Sequence, residues 1–393
     1  MTAILEGVRV LDFGRYIAGP YCGSLLAHLG AEVIRIEAPE GADDRYIMPV
    51  RPDGEGALYL HANRGKKAIT LDTRKEAGRS IARRMIEKAD VVIANFSPSA
   101  LTYFGLDYET VRAIKPDIIL TTVSAFGSDG PLKDAVGFDG VGQAVSGAIH
   151  LTGEPGKPTR SVTAYVDFST ALSCTYGTLA ALIKRMRTGE GSHVQASLVG
   201  TALSIMNPIL IEHASGQNLR EPTGNRAPIA GPSDIFQAKD GWFIMQVQGP
   251  KMFKRWAELV GRPELTRDPR YADDALRGRN GAELSAIMQT WAQSRTRSEC
   301  LKALEDISLA AAPALTPDEI LGDGLGLRSV FMDQVEFPGV GATPMVSPPI
   351  SFSPQGLSPL SRAPTLGEHT REVLARYGFS ESELAAFERD RVI

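Results

Sequence analysis

The sequence predicts an α/β protein built on a parallel sheet that is covered on both faces. Strand and helix signals alternate through the first third of the chain, and the strand segments are apolar throughout instead of alternating with polar residues. At 393 residues, 43% of them hydrophobic and 22% charged, the chain is long enough for two domains with a sizeable core.

In chain order, GVRVLDF reads as a buried strand, and YIAGPYCGSLLAHLG as a loop entering a helix that stops at Gly30. AEVIRIE is a second strand and KAITLD a third. The helical RKEAGRSIARRMIEKA, then DVVIANF and PDIILTTVSAF, continue the alternation. Parallel sheets bind ligands beyond the carboxyl ends of their strands, so the residues just after LDF, IRIE, IANF and SAF are the places to look. A helix runs from Asp167 to about Arg187, followed by a turn and a short strand in TGEGSHVQAS. The helical LVGTALSIMNPILIEHAS leads into GQNLREPTGNRAPIAGPSD, whose Gly, Pro and polar residues mark a domain boundary. IFQAKDGWFIMQV is a hairpin turning at Asp240-Gly241. Charged helical segments reach about Glu305, strand pairs with proline breaks fill SVFMDQVEFPGVGATPMVSPPISF, and a terminal helix closes the chain.

Composition excludes several classes of partner. The formal net charge of −4 gives no electrostatic reason to expect nucleic acid or an anionic membrane. Cys22, Cys174 and Cys300 are scattered, without CxxC spacing or neighbouring histidines, so no metal site is expected and a reducing compartment suits them. The start, MTAILEGVRV, lacks the basic and apolar regions of a secretory signal. No run of 18 or more apolar residues exists, so nothing is expected to span a membrane, and the terminal DRVI is not a peroxisomal address. The expectation is a cytoplasmic protein.

Four constellations could carry chemistry. The opening strand, glycine turn, helix and second strand ending at Glu37 imitate a dinucleotide fold, yet Gly14 and Gly19 lack the middle glycine of G-x-G-x-x-G. Arg64, Lys66, Lys67, Arg74 and Lys75 flank one short strand, and serve either as phosphate ligands or as a solvated edge. His28, His150, His193 and His369 show no metal spacing, and no G-x-S-x-G elbow accompanies them. Asp167 is the only charged residue in SVTAYVDFSTALSCTYGTLAAL. It reads either as the N-cap of the helix that follows, where its loss costs roughly 1 kcal/mol, or as a nucleophile. The helix start and a reference pKa of about 3.9 would keep it ionised at neutral pH.

Ordered segments along almost the whole chain resemble the class III CoA-transferases, a family that includes formyl-CoA transferase, carnitine CoA-transferase and, more distantly, α-methylacyl-CoA racemase. The segments are LEGVRVLDFGRYIAGPYCGSLLAHLGAEVIRIEAP, NRGKKAITLD, DVVIANFSPSAL, GFDGVGQAVSG, VDFSTAL leading to LIKRMRTGEGSHVQASL, GNRAP, DGWFIMQV and PTLGEHT. The resemblance implies a large Rossmann-like domain from both termini and a small central α+β domain. The boundary read above fits that plan, with 1–200 and 326–393 as the first, a linker at 201–224 and 225–325 as the second. It implies an interlocked homodimer, and Asp167 as the nucleophile that exchanges CoA between an acyl-CoA and a free carboxylic acid. The CoA thioester is a substrate, and no permanently bound cofactor is implied. Carried over residue by residue, Asn95 and Phe96 line the CoA site, as do Leu71 and Thr73. Tyr16 and Ile17 lie beside the thioester, and Asp139 near the nucleophile. Arg64, Lys66 and Arg74 become the candidates for the CoA phosphates.

Two departures narrow the expectation. The formyl-CoA:oxalate branch carries a glutamine where this chain has Ile17, a tyrosine-glutamate pair where it has Phe138-Asp139, and a longer glycine-rich loop than GNRAPIAGPSD. The racemase branch has a histidine at the position of Phe138, so a two-base proton exchange lacks one base here. Transferase chemistry is therefore expected over racemisation or nicotinamide-cofactor binding. Arg15, Arg45 and Arg226 are candidates to hold the second carboxylate of a dicarboxylic acid.

Overall fold

The computed structural model describes residues 3–50, 54–216, 219–353, 357 and 360–393. Its largest sheet has six strands. They are β1 (Arg9–Asp12), β2 (Glu32–Glu37), β3 (Lys67–Thr70), β4 (Val91–Ala94), β5 (Ile119–Ser124) and a sixth, Ser192–Ser197. All pairings are parallel, in the order β3-β2-β1-β4-β5-sixth. The order reverses between β1 and β4, which opens a crevice at the carboxyl ends of those two strands.

The apolar strands are explained by burial on both faces. Val10, Val33, Val91 and Ile119 pack into one cluster, with Cys22 and Leu26 of helix α1 (Ala18–His28) and with Val166, Ala171 and Cys174. Leu11, Ile34, Val92 and Leu120 pack into the other, with Ile81, Met85, Val373 and Leu384. Neighbouring residues of one strand thus enter different cores, the signature of a sheet sandwiched between helices. The expected terminal helix is two helices, Thr370–Arg376 and Glu381–Arg389, separated around Gly378 at φ +92°.

The chain divides into two compact units, 1–146 with 161–207 and 329–393, and 147–160 with 208–328. The division falls at other residues than the expected boundaries. The stretch 201–224 is no simple linker, because the helix Leu198–Ala214 runs across the division, and only beyond it does the Gly- and Pro-rich segment begin. Residues 217–218 of that stretch lie outside the described residues. The second unit carries a three-stranded antiparallel sheet of Ser233–Ala238, Gly241–Gln246 and Ala310–Pro313. Its hairpin closes at Ala238 opposite Gly241, so Lys239 and Asp240 form the turn, one residue earlier than expected.

Residues Tyr165–Thr188 form a 24-residue helix whose best 18-residue window has a mean hydropathy of 1.2. That meets the length and composition test for crossing a membrane, contrary to the expectation that no segment would. The core helix of a water-surrounded fold passes the same test, and Val166, Ala171, Cys174, Ala181 and Leu182 are buried in the core under the sheet.

Candidate active site

The helix Tyr165–Thr188 starts two residues before Asp167, so Asp167 stands in its first turn and Ala164 occupies the N-cap position with no side-chain bond. The cap comes from elsewhere. Asp139, the first residue of the helix Asp139–Val145, points Oδ2 at the helix start, where it accepts from Val166 N at 2.8 Å and Asp167 N at 3.3 Å. Asp139 Oδ1 accepts from Gln143 Nε2, and Gln143 Oε1 accepts from Ser161 N at 3.0 Å. The cap expected of Asp167 is therefore supplied by Asp139, which leaves the Asp167 carboxyl free of helix duty. Gly142 makes the approach possible, since a Cβ there would lie 2.9 Å from Val166 Cγ1.

Burial pushes the Asp167 carboxyl up to about 7, and the neighbouring Asp139 carboxylate adds to the push. The expectation of a fully ionised group at neutral pH is corrected accordingly. A helix start favours an anion by about 0.3–1 kcal/mol, while a rise from about 3.9 requires more than that in the opposite direction. A carboxylate held near neutrality in this way is a stronger nucleophile than an exposed one and is still substantially ionised.

Asp167 opens into a cavity of about 380 Å³ that also touches Tyr16, Asn95, Phe96, Phe138 and Leu198. The backbone 14–16, at the carboxyl end of β1, is gripped by side chains from several elements. Arg15 N donates to Asn95 Oδ1 at 2.7 Å and Asn95 Nδ2 donates to Arg15 O at 2.6 Å, which clips the β1 and β4 loops together across the crevice. Gly14 N donates to Asp12 Oδ1 at 2.8 Å and Arg35 Nη1 to Gly14 O at 3.2 Å. Tyr16 N donates to Asp44 Oδ2 at 3.0 Å, and Asp44 is itself paired with Arg35 at 2.9 Å. These bonds hold Tyr16 at φ +62°, a conformation uncommon for a tyrosine, and its ring meets Phe138 edge-on at 5.3 Å.

A second cavity, about 510 Å³, shares Arg15 and Phe96 with the first and is lined by Leu71, Thr73, Arg74, Phe104 and Leu106. The two cavities together gather Tyr16, Asn95, Phe96, Asp167, Leu71, Thr73 and Arg74. Arg74 is exposed there and is engaged by Asp72 at 2.7 Å and Glu40 at 2.9 Å. Asp139 stands behind Asp167, and Ile17 is buried at the N-cap of α1.

Two of the expected phosphate ligands are placed otherwise. Lys66 is wholly buried, and its Nζ donates to Asp12 Oδ2 at 2.7 Å, Pro20 O at 2.6 Å and Asn63 Oδ1 at 2.9 Å. All three of its donors hold the interior together, and burial draws its pKa below the ordinary lysine value. Arg64 is also buried, bonded to Val346 O at 3.2 Å and 3.8 Å from Asp333, away from both cavities. Of the candidate carboxylate anchors, Arg45 is buried against Glu37, Glu55 and Tyr59, and Arg226 belongs to the second unit. Arg15 remains in the cavity. Sequence reasoning missed Lys133, which lines the same cavity from the loop beyond β5, although the rule of carboxyl ends pointed to that loop. Among the described residues no three His, Cys, Asp or Glu side chains gather as a metal site.

A family model described as CoA-transferase family III matches residues 5–370. The chain is 34% identical over 395 residues to the succinyl-CoA–D-citramalate CoA-transferase of Chloroflexus aurantiacus, covering 99% of this chain and 98% of that protein. It is 32% identical over 385 residues to the succinate–glutarate CoA-transferase of Agrobacterium fabrum, covering 94% and 95%. The crystal structure of a CAIB/BAIF family protein from Brucella suis superposes with a TM-score of 0.84 at 33% identity, covering 96% of this chain and 100% of that one.

Proposed function

The chain belongs to CoA-transferase family III and is a CoA-transferase, and we propose that it moves CoA between small dicarboxylic acids with Asp167 as the nucleophile. The observation that carries this reading is the Asp167 carboxyl, held near neutrality and freed of its cap role by Asp139, at the mouth of the β1/β4 crevice. Relatives named for succinyl-CoA, D-citramalate and glutarate support a dicarboxylic substrate.

In the proposed reaction the Asp167 carboxylate attacks the thioester carbonyl and the C–S bond breaks, which gives an aspartyl–acyl anhydride and the CoA thiolate. The thiolate then attacks the aspartyl carbonyl, the donor acid leaves as its carboxylate, and an aspartyl-CoA thioester remains. The acceptor carboxylate attacks that thioester and expels the thiolate again. The thiolate finally attacks the acceptor's acyl carbon, so the new acyl-CoA departs and Asp167 is regenerated. No proton is consumed over the cycle, and a carboxylate suits it because an anhydride is readily formed and readily broken by a thiolate. The thioester end lies beside Tyr16, Ile17, Asn95 and Asp139, and the adenosine end beside Leu71, Thr73, Arg74 and Phe96. Two copies of the chain interlock in this reading. The exposed Leu172, Tyr176, Ile183 and Met186 along one helix, and Leu203, Ile205, Leu210 and Ile211 along the next, support a partner surface.

Incubation with succinyl-CoA and a panel of carboxylates, read by mass spectrometry, is expected to yield new CoA esters of dicarboxylic acids. Hydroxylamine is expected to trap Asp167 during turnover. Full transfer activity in Asp167→Ala would sink the mechanism.

A further inference from the structure

Among the described residues, Arg15 and Lys133 are the only cations on the wall of the cavity that holds Asp167. Both are exposed, and neither side chain makes an ion pair or hydrogen bond among the described residues. They contrast with Arg35, Arg45, Lys66 and Arg74, whose charges are matched by carboxylates. Their origins are also separate. Arg15 follows β1, while Lys133 lies in the loop that follows β5, and β4 stands between those strands. Two strand spacings are about 10 Å, so long side chains from the two loops can converge on one anion over Asn95 and Phe96.

The backbone under Arg15 is fixed, because Asn95 holds both its N–H and its carbonyl. Ala18, Val123, Val136 and Phe138 supply apolar wall to the cavity, and Asn95, Ser97 and Ser124 supply uncharged polar wall. Two unmatched charges in such a cavity suit a ligand that places one anionic group there and a reactive carbonyl at Asp167.

We infer that Arg15 and Lys133 hold the distal carboxylate of a dicarboxylic acyl group and so select dicarboxylic over monocarboxylic acids. The inference rests on the proposed transferase reading and names the residues that carry its specificity. The shared chemistry is anion binding, and the CoA phosphates are the competing source.

The test compares glutarate with its monoamide as acceptor, because the amide keeps the length and removes the distal charge. In a ping-pong scheme kcat/KM for the acceptor reports the acceptor half-reaction alone. Wild-type enzyme is expected to favour glutarate. Lys133→Ala and Arg15→Ala should each lower kcat/KM for glutarate by about tenfold or more, the range of a hydrogen bond to a charged group. The loss in kcat/KM for the monoamide as acceptor, and in kcat/KM for acetyl-CoA as donor, should be far smaller, and Lys133→Arg should restore the preference. A preference for glutarate that survives both substitutions overturns the anchor and leaves the transferase reading intact. So does an equal loss in kcat/KM for acetyl-CoA itself, which would assign the two cations to the CoA phosphates. Equal use of glutarate and its monoamide by the wild-type enzyme overturns the dicarboxylate reading, and the anchor with it.

Discussion

Asp167 and Asp139 divide between them what a single residue was expected to do. In the proposed reaction Asp167 must be ionised to attack, and its carboxyl sits at about 7, so kcat/KM for the acyl-CoA donor should fall as pH drops through that value. Asp139→Asn removes the neighbouring charge, and the acid limb of that profile should move to lower pH. The same shift predicts a stability effect of definite sign. The folded protein binds this proton more tightly than the unfolded chain, whose aspartates titrate near 3.9, so stability declines as pH rises from about 4 through about 7. Asp167→Asn should therefore stabilise the fold at pH 8, by on the order of 1–2 kcal/mol after allowance for partial exposure, and leave it unchanged at pH 4. Thermal melts at the two pH values check this. The sequence marked Asp167 as a lone charge in an apolar run, but nothing local revealed that its cap lay 28 residues upstream. A helix start can be capped through space, and spacing along the chain does not register that.

Elements meet the site at close quarters, and Gly142 is one of the tight contacts. Alanine there would gain up to about 1 kcal/mol in helix propensity, but its Cβ would press on the fully buried Val166 side chain. Overpacking of this kind costs about 1–3 kcal/mol. Gly142→Ala is expected to lower stability by about 1 kcal/mol net, and to lower kcat more markedly by moving Asp139 off the helix start. Denaturant titration and steady-state kinetics separate the two effects. The first five strands were legible because each lies in a largely apolar segment bounded by Gly, Pro or charged residues, and the sixth, Ser192–Ser197, was read from its alternation after a turn. The helices Pro98–Phe104, Tyr108–Ile114 and Asp139–Val145 were not, since none exceeds seven residues and so short a span carries little periodicity. Basic clusters are ambiguous for a related reason. Lys66 and Arg74 lie eight positions apart, yet one is locked to buried Asp12 and the other reaches a cavity rim, a difference that only the tertiary fold decides.

At the scale of the whole molecule, the parallel sheet and its β1/β4 switch point place a crevice where the sequence pattern expected one. The division of the chain was less legible, because the crossing falls inside an apolar helix and the Gly- and Pro-rich stretch begins only after it. Exposed apolar side chains on the helix Tyr165–Thr188 lead to a further expectation. Sedimentation should give twice the mass of one chain, and Leu172→Asp combined with Ile183→Asp should reduce it to that of a single chain. An unchanged dimer in that variant would place the association surface elsewhere.

The burial of Asp167 has a thermodynamic corollary for the proposed cycle. A free carboxylate at this position carries an unfavourable desolvation energy and faces Asp139, whereas an acylated Asp167 bears no charge and escapes both. The resting enzyme is thus raised in energy relative to its own covalent adducts, and capture of CoA relieves the site. Intact-protein mass spectrometry after exposure to succinyl-CoA alone should accordingly find a long-lived adduct heavier by bound CoA, and Asp139→Asn should shorten its lifetime.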